Sequence, residues 1–306
     1  MLTIPQELAD LNKIELSHCA DFSNAAAMHK AISWSYFFPY LYFLGMSEPR
    51  QALLFEQIEG SILLYRLQER DEKLRLGLLL PPFPFARLPL RRALERMRDF
   101  NHNRVGRISR IQESDALPLA REGLEIRFHS DEYIYDCAAV LAMRGGSYEA
   151  LRRKISHYAN TASVVVRDFR KEDAQDCMKL RKKWYKGLLN AGVKVGPYYR
   201  YSQECLANAE VFSSDVLSGQ VIEVDGTVRA FTFGGTINQR FGSIFITISD
   251  HDLPGLAYLQ RYHLMKKHPH IAYFNDFSDS GRAGLAQMKR TFRPVQMHGL
   301  YSAREQ

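Results

Sequence analysis

The sequence predicts an α/β protein with two similar units, each a mixed β-sheet flanked by helices. In the second half of the chain, strand-like and helix-like segments follow in the order strand, two helices, three strands, helix, strand, helix, strand, and a similar series occupies the first half. The 306 residues, 46% of them hydrophobic, are enough for one large or two ordinary domains. We therefore expect an N-terminal domain over residues 1–160 and a C-terminal domain over residues 161–306.

In the first unit, two strands flank a Glu-Gly turn at residues 59–60, and a third strand precedes a proline-rich turn. The next element has the pattern of an amphipathic helix, because Leu90, Leu94 and Met97 recur at helical spacing after Pro89. The expected elements are strands at residues 52–57, 61–67, 74–79, 107–112 and 124–128 and helices at residues 89–100 and 147–158.

In the second unit, Asp225-Gly226 is a strong hairpin signal between two strands, and Pro254 precedes a helix. We expect the linker between the units near residues 158–163, so that the helix at residues 147–158 bridges both domains. The expected elements are strands at residues 164–169, 220–224, 228–233, 243–249, 270–275 and 295–301 and helices at residues 171–189, 203–208, 255–267 and 281–290.

A polar segment follows the apolar strand that ends at Asn275. It contains two glycines and leads into a short basic helix, NDFSDSGRAGLAQMKRTFRP. In an α/β sheet, ligands bind at the carboxyl ends of strands. Glycines there let the backbone approach a substrate, and the next helix offers free N–H groups. The segment therefore predicts a functional site.

Two ordered series of residues carry a family resemblance. The C-terminal series consists of Asn275, Asp279, Gly281, Gly284, Leu285, Lys289, Phe292 and Pro294. The central series, which lies upstream of it, consists of Asp131, Tyr133, Tyr135, Asp136, Gly145, Tyr148, Arg153 and Ile155. Both series resemble motifs of the catalytic domain of lysyl-phosphatidylglycerol synthases. The resemblance runs from about Leu53 to the end and implies two fused GNAT-type acyltransferase domains. Known members of this family move an aminoacyl group from a charged tRNA to an amine or hydroxyl of a lipid or small molecule.

Such a transfer starts from an activated ester. It needs positioning, a base for the acceptor and stabilisation of the oxyanion, but no nucleophile. Asp279 is the candidate base or amine-binding carboxylate, Lys289 steadies the oxyanion or terminal phosphate, and Asn275 is an orienting residue. Gly281 and Gly284 are expected to line the substrate. The alternative is that Asp279 caps the next helix, Asn275 merely ends a strand and Lys289 lies on a solvated face.

In the central motif, Asp131 and Asp136 together with Tyr133 and Tyr135 are expected to bind the aminoacyl ammonium, and Arg153 to contact the substrate. Packing at the edge of a strand explains the presence of Asp131, Tyr133, Tyr135 and Asp136 about as well.

The chain departs from the family pattern at three places. An acid is missing from residues 275–279, Ala286 stands in place of an arginine, and Thr247 stands where relatives tend to carry glutamate. These departures predict a different aminoacyl group, a different acceptor or lost activity.

The net charge of +7 is concentrated in residues 87–110, where eight arginines accompany two acids. Further basic clusters occupy residues 152–154 and, interleaved with aromatic residues, 179–186. This pattern suits phosphate contacts and base stacking, so tRNA is the expected partner; the alternative is a set of solvated helix faces. The residues expected to bind nucleic acid are Arg91, Arg92, Arg96, Lys182, Lys183 and Trp184.

An acyl-CoA enzyme of this fold needs a turn whose backbone N–H groups hold the pyrophosphate. The corresponding segments of this chain are residues 249–255, which carry two acids, and residues 80–85, which carry three prolines. We therefore expect no cofactor and aminoacyl-tRNA as the donor substrate. A CoA-dependent N-acyltransferase and a non-catalytic tandem domain that binds RNA or serves assembly remain alternatives.

The four cysteines form no CxxC pair and the histidines lack a zinc-binding spacing, so we expect neither a disulfide framework nor a metal. The N-terminus lacks the pattern of a secretory signal. The longest apolar run, at residues 34–46, is too short to cross a bilayer. It is interpreted as a core-facing helix end and loop of the first domain, or alternatively as a contact with lipid headgroups. The expected location is the cytoplasm, with peripheral contact at the inner membrane face as the second option.

Overall fold

The structure, a computed structural model, describes residues 2–104, 106–159, 163–194 and 196–305. The strands in these ranges are β1 (Asn12–Lys13), β2 (Gln51–Ile58), β3 (Ser61–Arg70), β4 (Lys73–Leu78), β5 (Arg107–Gln112), β6 (Leu124–Asp136), β7 (Val164–Asp168), β8 (Ser218–Val224), β9 (Thr227–Thr236), β10 (Phe241–Ser249), β11 (Tyr273–Asn275) and β12 (Gln296–Glu305). The α-helices are α1 (Cys19–Met28), α2 (Phe38–Ser47), α3 (Arg87–Phe100), α4 (Glu113–Arg121), α5 (Cys137–Ala142), α6 (Glu149–Ala159), α7 (Ala174–Asn190), α8 (Tyr198–Asn208), α9 (Leu256–Lys267) and α10 (Ala283–Thr291).

The described chain divides into two compact units, residues 2–132 with 298–305, and residues 133–297. The change of unit falls within β6, so this division differs from the predicted one after residue 160.

The position of helix α6 accounts for much of the difference between the predicted and the observed division of the chain. Its Leu151, Ile155 and Tyr158 share a buried cluster with Leu256 and Leu259 of α9, which places α6 in the second unit. The apolar face of the helix is thus used inside one unit and does not bridge two. Of the predicted linker, residues 160–162 lie outside the described residues.

The sheet of the first unit has the order β1-β2-β3-β4-β5-β12. Its pairs are antiparallel apart from the parallel pair of β4 and β5. Helix α3 packs Leu90, Leu94 and Met97 into the core of this unit against inward-facing residues of β3 and β4, which confirms the predicted amphipathic helix.

The aromatic run at residues 34–46 forms a short 3₁₀ turn followed by α2, and most of its side chains are buried. Phe37, Leu41 and Phe43 are each 0% exposed. A segment that is apolar on all sides belongs in a core, as the first interpretation expected. Among the helices of the described ranges, none is long and apolar enough to span a bilayer.

The sheet of the second unit has the order β6-β11-β10-β9-β8-β7, in which β11 and β10 are parallel and the other pairs antiparallel. The three-residue strand β11 lies between β6 and β10, and Asn275 pairs with Ile134 on one side and Ser243 on the other. The end of β11 therefore lies deep in the sheet, next to the second half of β6.

Candidate functional site

The loop between β11 and α10 is held to β6 by backbone hydrogen bonds. The Asp276 N–H donates to the Tyr133 carbonyl at 2.9 Å, and the Tyr133 N–H donates to the Phe277 carbonyl at 3.1 Å. Asn275 is fully buried, and its side-chain oxygen accepts the Phe277 N–H at 3.0 Å. Asn275 therefore both ends the strand and shapes the loop that follows it.

A buried carboxylate, that of Asp276, lies at the base of this loop with 1% of its surface exposed. Its Oδ2 accepts hydrogen bonds from Arg261 Nε at 2.8 Å and from the Tyr135 hydroxyl at 3.0 Å. Lys289 Nζ lies 3.7 Å from its Oδ1. A buried charge is stable only when it is paired and hydrogen-bonded, and Asp276 meets both conditions.

Lys289 is buried, with 2% of its surface exposed, so the solvated-face alternative is wrong. Its ammonium donates to the backbone carbonyls of Asp276, of Phe277 at 3.3 Å and of Ser278 at 2.9 Å. Since an ammonium has three N–H donors, all of them are engaged by the loop. Burial lowers the pKa of Lys289 to about 8, against the opposing effect of the Asp276 charge.

Asp279 is half-buried and is held by both of its oxygens. Oδ2 accepts the Tyr133 hydroxyl at 2.6 Å, and Oδ1 accepts the Gly281 N–H at 2.8 Å. Burial by itself raises the pKa of Asp279, but the Tyr133 hydroxyl, the Gly281 N–H and the Lys289 charge outweigh it and hold the pKa below its ordinary value. Asp279 is therefore an ionised, partly accessible carboxylate at neutral pH.

The glycines of the loop and of the helix that follows it, Gly281 and Gly284, face open space. Gly281 adopts φ +70°, and a Cβ built on Gly281 or Gly284 would meet nothing within 4 Å. Helix α10 begins at Ala283 after Arg282, and no side chain of the described residues caps its first N–H groups. Asp279 is thus not the helix cap. The start of α10 offers uncapped N–H donors next to a carboxylate and a gap.

The structure brings the predicted C-terminal residues together with Tyr133 and Tyr135, which are 1% and 0% exposed. Their hydroxyls donate to Asp279 and Asp276, respectively. The other residues of the central motif that were predicted to bind substrate are not part of this cluster. Asp136 caps α5 by accepting the Ala139 N–H at 2.8 Å, Arg153 is exposed on α6, and Asp131 is an exposed residue of the first unit.

Sequence reasoning missed Arg261, which connects the loop to its surroundings. It donates to Asp276, to the Thr247 hydroxyl at 3.1 Å and to the Ala257 carbonyl at 2.9 Å. Thr247 carries no charge, and Asp276 supplies the charge that pairs with the guanidinium. The sequence signal that could have revealed this ion pair is Asp276, an acidic residue directly after β11.

The residues expected to bind nucleic acid fall into two groups. Arg91, Arg92 and Lys182 are exposed on α3 and α7. Arg96 and Lys183 are engaged in ion pairs, and Trp184 is half-buried with its ring 5.6 Å from that of Tyr198.

The family model for the C-terminal part of phosphatidylglycerol lysyltransferase matches residues 51–304. No curated protein sequence matches the chain.

Several solved structures share the fold. A conserved protein of unknown function from Bacteroides thetaiotaomicron is 20% identical and superposes with a TM-score of 0.80 over 97% of this chain and 99% of that one. The L-PGS of Bacillus licheniformis is 15% identical, with a TM-score of 0.67 over 96% and 93%. A tandem GNAT protein from the clavulanic acid biosynthesis pathway is 12% identical, with a TM-score of 0.52 over 96% and 98%. Two fused GNAT-type domains, each a mixed sheet flanked by helices, are therefore the fold of this chain, as predicted.

Proposed function

Since the chain belongs to the phosphatidylglycerol lysyltransferase C-terminal family, we propose that it transfers an aminoacyl group from an aminoacyl-tRNA to an amine or hydroxyl acceptor. The acceptor class that family membership favours is a lipid headgroup. The observation that carries the proposal is the fixed, ionised carboxylate of Asp279 beside the open space at Gly281 and Gly284.

Asp279 is proposed to bind the ammonium of the aminoacyl group. A carboxylate with a lowered pKa is a weak base, since the best general bases have a pKa near the working pH. The same lowered pKa keeps it charged, which suits a counter-ion for an amine. Of the two roles expected from the sequence, amine binding is therefore the one we favour.

The oxyanion is proposed to be stabilised by the uncapped N–H groups at the start of α10, where the helix dipole favours negative charge. Lys289 then acts as a positioning residue, because its three donors hold the carbonyls of the loop that carries Asp279. Asn275 acts in the same way on the Phe277 N–H.

The experiment is a transfer assay with bulk tRNA charged with a mixture of labelled amino acids, offered with phosphatidylglycerol vesicles and with small amines. Wild-type protein should give an aminoacylated product, and Asp279→Asn should lose most of that turnover. Ser280→Ala, one residue away and exposed, is the matched control and should keep it. Full turnover by Asp279→Asn would overturn the site assignment.

Binding measurements separate the alternatives. In a fluorescence anisotropy titration at two salt concentrations, preference for charged over deacylated tRNA, unaffected by acetyl-CoA, supports the proposal. Equal binding of both tRNAs points to a non-catalytic RNA-binding protein. Displacement by acetyl-CoA points to a CoA enzyme.

A further inference from the structure

A concave site of the first unit is lined by residues of β3 and β4 and by none of the loop that follows β11. Its volume is about 540 Å³. Six of the described residues that line it are cationic, and Asp71 contributes their one carboxylate. The six residues, which we call the basic cleft, are Arg66, Arg70, Lys73, Arg75, Arg104 and Arg107.

Strand register explains why these side chains converge. The cross-strand partners Arg66 with Gly77, Gln68 with Arg75, and Arg70 with Lys73 share one face of the sheet, because side chains directly opposite in a pair point the same way. Their immediate neighbours along the strands, at Tyr65, Leu67, Leu76 and Leu78, lie in the core on the other face. Leu78 pairs with Ile108 of β5, and this places Arg107 beside Gly77.

Gly77 keeps the floor of the cleft free of a side chain. A Cβ at this position would lie 2.8 Å from the Arg107 carbonyl oxygen, closer than real Cβ atoms approach backbone. The close approach of β4 to β5 therefore requires glycine. The result is a gap on the sheet surface with Arg66 on one side and Arg107 on the other.

Within the described part of the chain, none of the six cations forms a salt bridge, whereas Arg96 nearby pairs with Asp10 at 2.8 Å and Glu56 at 3.1 Å. Burial lowers the pKa of Arg66, and the charges of Arg110 and Arg107 lower it further. The protein thus holds like charges together without neutralising them, which is unfavourable until an anion binds.

One wall of the cleft is fixed before any ligand arrives. The Asn101 side chain receives the Leu76 N–H at 3.0 Å and donates to the Leu76 carbonyl at 2.8 Å, and both contacts are buried. These bonds connect the end of α3 to β4, so the cleft is built on rigid elements. Preorganised sites lose less conformational entropy on binding.

We propose that the basic cleft binds a ligand with two or more neighbouring phosphate groups, of the diphosphate class. Guanidinium groups match phosphate oxygens with paired hydrogen bonds, and six cations exceed the charge of one phosphate. The volume is that of a small-molecule site. A bounded cleft suits a compact anion better than a polymer backbone, which is bound along an extended basic stripe.

The test is isothermal titration of the whole chain with inorganic diphosphate, ADP and AMP at constant ionic strength. Diphosphate should bind, and AMP should bind at least tenfold more weakly than ADP. If inorganic diphosphate binds and ADP does not, the ligand of the cleft is a free anion. If both bind, the cleft also accepts diphosphate esters. Heats no larger than those of sodium chloride at the same ionic strength would overturn the proposal.

Single substitutions test whether diphosphate binds at the basic cleft. Arg66→Gln and Arg107→Gln should each weaken diphosphate binding at least tenfold, and Arg75→Gln, on the outer part of the face, provides a third position if either variant unfolds. Arg121→Gln, exposed at the end of α4 and outside the cleft, is the control and should bind like wild type. Equal weakening by Arg121→Gln would overturn the assignment. Tighter binding of a short duplex RNA than of diphosphate, with the same dependence on Arg66 and Arg107, would also overturn the proposal.

Discussion

The Tyr133 hydroxyl donates a 2.6 Å hydrogen bond to Oδ2 of Asp279, although the two residues are 146 positions apart in the chain. Tyr133 is 1% exposed, so the donor is fixed by packing. The other Asp279 oxygen accepts the Gly281 N–H. The carboxylate is thus held in one orientation, with its remaining acceptor positions available to a ligand.

Replacing Tyr133 by phenylalanine tests this orientation. A hydrogen bond to a charged group contributes about 1.5–3 kcal/mol, so Tyr133→Phe should lower kcat/KM of aminoacyl transfer about tenfold to hundredfold while the ring still fills its place. Tyr262→Phe, a partly buried tyrosine packed on the same cluster, is the control. Unchanged kcat/KM in Tyr133→Phe would exclude Asp279 from substrate binding.

The charge of Asp276 is expected to contribute strongly to the stability of the folded protein. Asp276→Asn leaves the guanidinium of Arg261 and the ammonium of Lys289 buried without their counter-charge and should cost about 3–5 kcal/mol of unfolding free energy. Asp252→Asn removes a carboxylate that is 77% exposed and should cost less than about 1 kcal/mol. Urea unfolding of both variants measures the difference, and similar losses would contradict the buried-charge argument.

Lys289 predicts an unusual dependence of stability on pH. Its pKa is about 8 in the folded protein against an ordinary value of 10.5, so between these values the unfolded chain binds more protons than the folded one. The Lys289 contribution to unfolding free energy should therefore rise with pH across this window, by about 3 kcal/mol in total. Chemical unfolding at pH 7.5, 9 and 10.5, compared with Lys289→Met, measures this contribution. A wild-type advantage that stays constant or falls would show that the pKa is not lowered.

The two site glycines should respond to alanine in opposite ways. Gly281→Ala forces a Cβ into φ +70° and should destabilise by about 1 kcal/mol. Gly284→Ala, within α10, should stabilise by up to about 1 kcal/mol and yet reduce transfer activity, because its methyl group enters the open space at the start of the helix. Thermal unfolding and turnover measured on both variants check this. Full activity in Gly284→Ala would mean that the space is not used by substrate.

The accessible arginines of α3 should govern any binding of tRNA. Arg91→Gln combined with Arg92→Gln should weaken binding and reduce the slope of log K against log salt by about 2, since each phosphate contact contributes close to one unit. Arg96→Gln should change the slope less, because its guanidinium is already paired with Asp10 and Glu56. Filter binding at four salt concentrations gives the slopes. Equal slopes for all variants would remove α3 from the RNA surface.

Local patterns predicted much of the fold. The periodicity of Leu90, Leu94 and Met97 located α3, and Asp225-Gly226 located the turn between β8 and β9. Helix α2 was predicted only as a helix end and loop, because it is apolar on every side and shows no amphipathic period that would mark its length. The second half of β6 was missed because its polar residues 129–132 resemble a loop, whereas tertiary pairing extends the strand to Asp136.

The site was predicted where it depends on short-range order and missed where it depends on burial. The spacing from Asn275 to Lys289 placed the loop and helix correctly. Burial decides that the Lys289 ammonium faces backbone carbonyls and that Arg261 reaches Asp276, and neither follows from spacing.

Strand β11 has only three residues and enters the sheet between two strands that precede it in the chain, β6 and β10. A chain synthesised from its N-terminus cannot complete this sheet until residue 275 has left the ribosome, and it cannot fix the loop until Lys289 follows. The geometry of the candidate site is therefore the last part of the second unit to be assembled. A nascent chain that stops earlier exposes the unpaired edges of β6 and β10, which are open to pairing with other chains.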